Sequence, residues 1–131
     1  WEKKVKSKLK IIKNIIVDRK SKYTLVAWYI ESKEDINALL KYILKDKYFQ
    51  KATHNTYAYR IKQENWSILD WKNDDGETWA WMCILREIQR MNYVNIVIIV
   101  TRYFWGIQLN ADRFKNVIDA CKIFFEKEKE E

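Results

Sequence analysis

The sequence predicts an α+β domain, a two-layer sandwich in which helices pack on one face of a sheet. Three observations carry the prediction. Strand-type and helix-type spacings of apolar residues follow one another along the chain in the order ββαβαβα. The longest uninterrupted apolar run, Ile96 to Val100, has the length of a strand, far short of the roughly 18 to 20 residues of a membrane span. With 131 residues, 48% of them hydrophobic, the chain can build one ordinary core, and neither a linker nor an internal repeat divides it. Residues 1–131 are accordingly expected to form a single domain, with a basic first strand within 1–22 and a fraying charged tail at 126–131. A start at Trp1 rather than Met suggests a piece of a longer protein.

The elements follow in order. Val5, Ser7, Leu9 and Ile11 alternate with Lys4, Lys6, Lys8 and Lys10, which spells a strand with four lysines on one face. A second strand, rich in β-branched and aromatic residues, spans Tyr23 to Ile30. Ser32 opens a helix as its N-cap with Asp35 three positions on, and Ile36, Leu39, Leu40, Ile43 and Leu44 form one buried stripe. Past the polar stretch Asp46 to Lys51, residues Asn55 to Ile61 read as a strand, with Tyr57 and Tyr59 on one face and Ala58 and Arg60 on the other. Gln63 to Gly76 has no sustained period and ends in the turn signal Asn73-Asp74-Asp75-Gly76. Trp81, Ile84, Leu85, Ile88 and Met91 mark a second helix begun near Thr78. Asn95 to Thr101 is a continuous apolar run, as in a central strand. Asn110 caps a third helix that turns Phe114, Val117, Ile118, Cys121, Phe124 and Phe125 inward.

Turn residues are scarce: 2 Gly and 0 Pro, against typical usage of about 7% and about 5%. The chain must therefore turn on Asn, Asp, Ser and Lys.

Charge is just as unevenly spread. Residues 1–22 carry Lys3, Lys4, Lys6, Lys8, Lys10, Lys13, Arg19, Lys20 and Lys22 against Glu2 and Asp18, a net of +7 that equals the net of the whole chain. The lysine row admits two readings. One is a solvated strand face whose charges discourage aggregation. The other is a line of ammonium groups roughly 6.6 Å apart, able to follow a phosphate backbone or an acidic protein surface.

Signals for catalysis are weak. His54 with Asp74, Asp75 and Glu77 offers at most an oxygen-rich cation site, and those carboxylates flank a turn, where solvation or helix capping accounts for them as well. Cys83 and Cys121 sit at helical positions suited to small buried side chains and form no CxxC pair, which fits a reducing compartment. No Gly-rich phosphate loop and no HExxH occurs. Without an apolar secretory leader, a cytoplasmic protein that is not an enzyme and carries no metal or cofactor is the expectation.

Three segments together carry a resemblance: Ala52-Thr-His-Asn-Thr-Tyr-Ala-Tyr-Arg-Ile61, Asp74-Asp-Gly-Glu-Thr78, and Val100-Thr-Arg-Tyr-Phe-Trp-Gly-Ile107 followed by Asp112-Arg-Phe-Lys115. Asp18-Arg-Lys-Ser-Lys22 adds an opening motif. In this order and separation they resemble the IMPACT family, also called the YigZ-like family, from about Asp18 to Phe125, with details closer to eukaryotic members. The resemblance implies a fold similar to the second domain of a small-subunit ribosomal protein: a four-stranded sheet with helices on one face. It implies function by binding. Eukaryotic members are similar to inhibitors of the amino-acid-starvation kinase that phosphorylates a translation initiation factor. They compete for that kinase's ribosome-associated activator, and some are linked to monomeric actin. Such members usually carry an N-terminal RWD domain, which is not within this sequence.

On this reading Lys4, Lys6, Lys8 and Lys10, with Arg60 and Arg102, form the interaction surface. His54, Asn55, Asp74, Asp75, Gly76, Glu77, Tyr103 and Gly106 are family-motif residues without an assigned role. The chain departs from the family at Trp79, Trp81 and Trp105, where small residues or glycine are usual; these are either an exposed aromatic patch for a partner or a repacking. The alternative function is an RNA- or ribosome-binding module in which an open lysine face pairs phosphates while Tyr57 or Tyr59 stacks bases.

Overall fold

The computed structural model describes residues 9–62, 68–73, 79–104, 109 and 111–130. Strands β1 (Lys10–Asp18) and β2 (Ser21–Tyr29) form a hairpin; helices α1 (Lys33–Leu44) and α2 (Lys47–Gln50) follow. Strands β3 (His54–Lys62) and β4 (Ile68–Asn73), helix α3 (Ala80–Arg90), strand β5 (Ile96–Tyr103) and helix α4 (Asp112–Glu130) complete the chain. The sheet has the order β1-β2-β5-β3-β4, and every neighbouring pair is antiparallel.

The α+β class stands as expected, with three differences. First, β1 covers Lys10–Asp18 and so runs well past Ile11; residues 4–8 of the expected strand lie outside the described residues. A bulge at Asn14, whose φ is 55°, shifts its register between Ile12 and Ile16, so no single period runs through it. Second, Ile68–Asn73 adds a fifth strand to the predicted four, inside the stretch that lacked a sustained period. Third, helices cover both faces. Tyr23, Leu25 and Ala27 of β2 with Ile96, Ile98 and Val100 of β5 pack beneath α3 and α4, through Ile84, Ile88, Phe124 and Phe125. The intervening residues Val26, Trp28, Val97 and Ile99 pack beneath α1 and α2, through Ile36, Leu39, Ile43 and Phe49. Two clusters on alternating residues of the same strands require two covered faces.

β5 is buried from Ile96 through Arg102, as its unbroken apolar run predicts for a strand covered on both sides. Each fully buried Ile or Val there is worth about 1.5–3 kcal/mol of transfer free energy. The α1–α2 crossover joins the parallel strands β2 and β3 over β5, and α3 joins β4 to β5 over β3 on the opposite face. Between these two connections the direction of travel and the strand direction both reverse while the face also changes. The crossovers are therefore of opposite hand, so one departs from the right-handed rule.

Local signals decide the ends. Ser32 is the N-cap of α1 as predicted, but its hydroxyl makes no capping bond. Asp35 instead reaches back to accept the Glu31 N–H at 2.8 Å. Asp46 caps α2 by accepting the Tyr48 N–H at 2.8 Å, turning the predicted polar stretch into a short helix. The shortage of glycine shows as positive φ at Asn14, Arg19, Lys20, Trp79, Asn92 and Asn95. Half are asparagine, the residue that tolerates this region best after glycine.

Candidate functional site

One end of the sheet collects segments that are far apart in sequence. The ladder aligns Asp18 with Ser21, Lys22 with Tyr103, Tyr23 with Arg102, His54 with Arg102, and Asn55 with Thr101. The β1–β2 hairpin, the start of β3, the end of β5 and the start of α4 therefore share one rim, held by polar contacts on both faces.

On the α3–α4 side, Arg19 donates to Asp18 through Nε at 3.1 Å and Nη2 at 3.2 Å, and it also pairs with Asp112, 93 residues away. Asn116 Nδ2 donates to the other flank of Asp18 at 3.0 Å. These hydrogen bonds, Arg19 first and Asn116 second, hold the Asp18 carboxyl below its ordinary value. They also tie down a two-residue turn whose Arg19 and Lys20 occupy the left-handed region, costing about 1–2 kcal/mol each. The Arg102 guanidinium is only 6% exposed, 5.3 Å from the Phe104 ring centroid and 5.9 Å from that of Tyr23.

On the α1–α2 side, Thr101 Oγ1 donates to Asn55 Oδ1 at 2.7 Å, and the Tyr103 hydroxyl donates to the Tyr48 carbonyl. The Tyr48 hydroxyl lies 2.7 Å from Thr24 Oγ1, its ring centroid 4.9 Å from that of Tyr103, and Lys13 Nζ stands 4.3 Å over it. Burial, with Tyr48 alongside, pushes the Tyr103 hydroxyl well up from its ordinary value, so it is a fixed donor rather than a base. The chain leaving β5 is pinned as well: Phe104 N–H donates to Thr53 Oγ1 at 3.0 Å, and Thr53 N–H to the Arg102 carbonyl at 2.9 Å.

The predicted site residues land unequally. His54, Asn55, Arg102 and Tyr103 are brought together on this rim. Arg60 is not. It pairs with Ile96 at the other end of β5, roughly 20 Å away at about 3.4 Å per residue, and its Nη1 donates to the Tyr93 carbonyl at 3.2 Å. Arg60 and Arg102 therefore do not form one surface. Lys10 does not belong to an open lysine face: its side chain points to the α4 side, with Nζ 2.6 Å from Glu128 Oε1. Tyr59 is buried and cannot stack on a base, while Tyr57 is half-buried beside it at 6.5 Å between centroids. Burial pushes the Tyr59 hydroxyl up to about 12. Trp79 is 57% exposed at the start of α3 and Trp81 is half-buried. Lys4, Lys6, Lys8, Asp74, Asp75, Gly76, Glu77, Trp105 and Gly106 lie outside the described residues.

Cys121 is fully buried and Cys83 partly so; burial raises both thiols, which suits packing between α3 and α4 rather than nucleophilic attack. Among the described residues no group of three His, Cys, Asp or Glu side chains could hold a metal ion, and no helix is long and apolar enough to cross a membrane. Sequence reasoning missed the bridge Asp18–Arg19–Asp112–Asn116 and the role of Tyr48. The first was detectable, because Asp18-Arg19 and Asp112-Arg113 both stood in the motif segments; Tyr48 gave no signal.

A family model described as the Impact N-terminal domain matches residues 19–123. The chain is 33% identical over 107 residues to the Protein IMPACT homolog of Dictyostelium discoideum, covering 82% of this chain and 31% of that protein. It is 35% identical over 108 residues to Protein IMPACT-B of Xenopus tropicalis, covering 82% and 34%. Among solved structures it resembles the two-domain translational regulator Yih1, with TM-score 0.58 and 33% identity over 82% of this chain and 42% of that one. A hypothetical protein shares the fold at TM-score 0.74 and 19% identity, covering 91% and 61%. The chain spans about a third of the length of the curated relatives it matches.

Proposed function

The chain belongs to the Impact N-terminal domain family, and from that premise we propose that it is a non-enzymatic, translation-regulatory binding domain. It engages the ribosome-associated activator of the amino-acid-starvation kinase and so keeps the activator from the kinase. The likeness to Yih1, a translational regulator, supports the regulatory part of this reading. The observation that carries the binding part is the rim: four segments meet there, tied on one face by Arg19 to Asp18 and Asp112, and on the other by Thr101 to Asn55 and by the Tyr103 hydroxyl to the Tyr48 carbonyl. Side chains neutralised in this way make a fixed surface for recognition rather than a set of poised acids and bases.

Lys4, Lys6 and Lys8 precede the Lys10 end of β1 in the sequence, the end opposite the rim, and as a second, basic contact they would favour an acidic partner. The test is capture of the purified activator by the immobilised chain, in parallel with a variant carrying Lys4→Glu, Lys6→Glu and Lys8→Glu. Capture by the wild type that falls at least about tenfold in the variant is the expected result. Equal capture removes the lysines from the surface, and no capture removes the activator as partner. Monomeric actin and a short RNA run through the same assay check the other partners that the family resemblance and the lysine row bring forward.

A further inference from the structure

The sheet face under α1 and α2 is incompletely covered, and the gap has a definite chemistry. On that side β1 presents Ile11 and Val17, 42% and 58% exposed, and α1 ends in Leu44, 47% exposed. Beside Ile11 a groove of about 320 Å³ is lined by Ile11, Tyr42, Ile43, Lys45, Asp46 and Phe49. Its floor is apolar. Its charged lining is Lys45 and Asp46, and two further lysines lie just outside the lining: Lys13, which stands over the adjoining Tyr48 ring, and exposed Lys47. Asp46 is the one acidic residue in the lining, and its carboxylate is already used to cap α2. In the sequence, Lys3, Lys4, Lys6 and Lys8 run directly into this edge of the sheet. Ile11 and Lys13 precede the family match, which begins at residue 19, whereas the lining from Tyr42 to Phe49 lies within it.

We propose that the groove between β1 and the α1–α2 turn is the docking site for an acidic amphipathic segment of a protein partner. Apolar side chains of the segment seat against Ile11, Ile43 and Phe49, and its carboxylates face Lys13 and Lys45. Two features select this occupant. An apolar floor of Ile11, Ile43 and Phe49 gains by excluding water, and the excess of Lys13, Lys45 and Lys47 over Asp46 around it attracts an acidic segment and disfavours a basic one. A nucleic acid would match the lysines but leave the apolar floor unused. The inference deepens the binding-domain reading and rests on it only in that the chain works by holding a protein.

The test is a selection of random peptides of about 16 residues displayed on phage against the full chain. The expected peptides carry Asp or Glu between apolar residues. A synthetic copy of the most enriched one shifts the backbone amide signals of Ile11, Tyr42 and Phe49. Its affinity falls at least about tenfold in Ile11→Asp and again in the Lys13→Glu, Lys45→Glu double variant. All three substituted side chains are at the surface, so the amide spectra of the variants remain those of a folded chain. Enrichment of basic or uncharged peptides, signals that shift elsewhere, or no enrichment at all overturns the proposal. So does short RNA shifting these amides where no peptide does. If peptides bind the groove while the activator is not captured, the functional reading falls and the groove stands. If the activator is captured equally by wild type and Ile11→Asp, and no peptide is selected, the groove alone falls.

Discussion

The two faces of the sheet are built from the same strands and are finished differently. On one face α4, with 19 residues and about 28 Å of length, reaches across β2 to β1 and clamps the edge. There Glu128 accepts from Lys10 at 2.6 Å and from Tyr29 at 2.6 Å. On the other face α1 has 12 residues, about 18 Å, and stops before β1. The groove beside Ile11 is left there, and a separate hollow of about 200 Å³ between the start of α1 and β3 is lined by Lys33, Ile36, Asn37, Tyr57 and Tyr59. Helix length thus separates a face devoted to stability from one with surface left over for a partner.

That contrast can be broken or sharpened by measurement. The largest effect is expected in the two cores. Phe124→Ala, on the buried face of α4, should cost about 3–5 kcal/mol in urea unfolding, because its close-packed surroundings cannot collapse into the space. Ile43→Ala, on the wall of the groove, should cost about 2 kcal/mol, since one side of the new space is already open. Equal losses would mean that the asymmetry is geometric only.

Next comes the polar anchor of α2. Tyr48→Phe removes the contact to Thr24 and should cost about 0.5–1.5 kcal/mol, with faster amide exchange confined to α2 and the ends of β2 and β5. An unchanged exchange pattern would show that ring packing alone holds α2.

The edge clamp is smaller and depends on pH. Burial by itself would raise the Glu128 carboxyl, but the hydrogen bonds from Lys10 and Tyr29 and the Lys10 charge outweigh it, and the group lies below its ordinary value. A carboxyl lowered in the folded state contributes stability above its unfolded value, and that contribution is lost as pH falls through the folded one. Wild type should therefore lose more stability than Glu128→Gln between about pH 5 and pH 3, by about 1 kcal/mol or less. Parallel curves would remove the clamp. Smallest of all, Ile11→Asp should change stability by no more than about 0.5 kcal/mol, because no helix covers it. A larger loss would mean that the groove is part of the core.

Much of this was legible in advance, and the exceptions have physical causes. The stripe Ile36, Leu39, Ile43 and the run Ile96 to Val100 repeat at one period over enough residues to declare their elements. The part of β1 past Ile11 hid behind the bulge at Asn14, which breaks the period of two. The rim was half legible: His54, Asn55 and Tyr103 stood in motifs, but the pairing of Arg19 with Asp112 spans 93 residues, and no local pattern encodes it.

Periodicity and composition were enough to establish the α+β class, the central position of β5, and turning on asparagine in a chain with 2 Gly and no Pro. These depend on interactions within a few residues, where side-chain spacing and backbone preference act directly. Which face each helix covers, that Arg102 is buried while Ile11 is left open, and that Lys10 meets Glu128 were decided by tertiary packing. An amphipathic stripe specifies that a helix must cover something, but only the crossing of the connections and the reach of each helix specify what is covered and what remains for a partner.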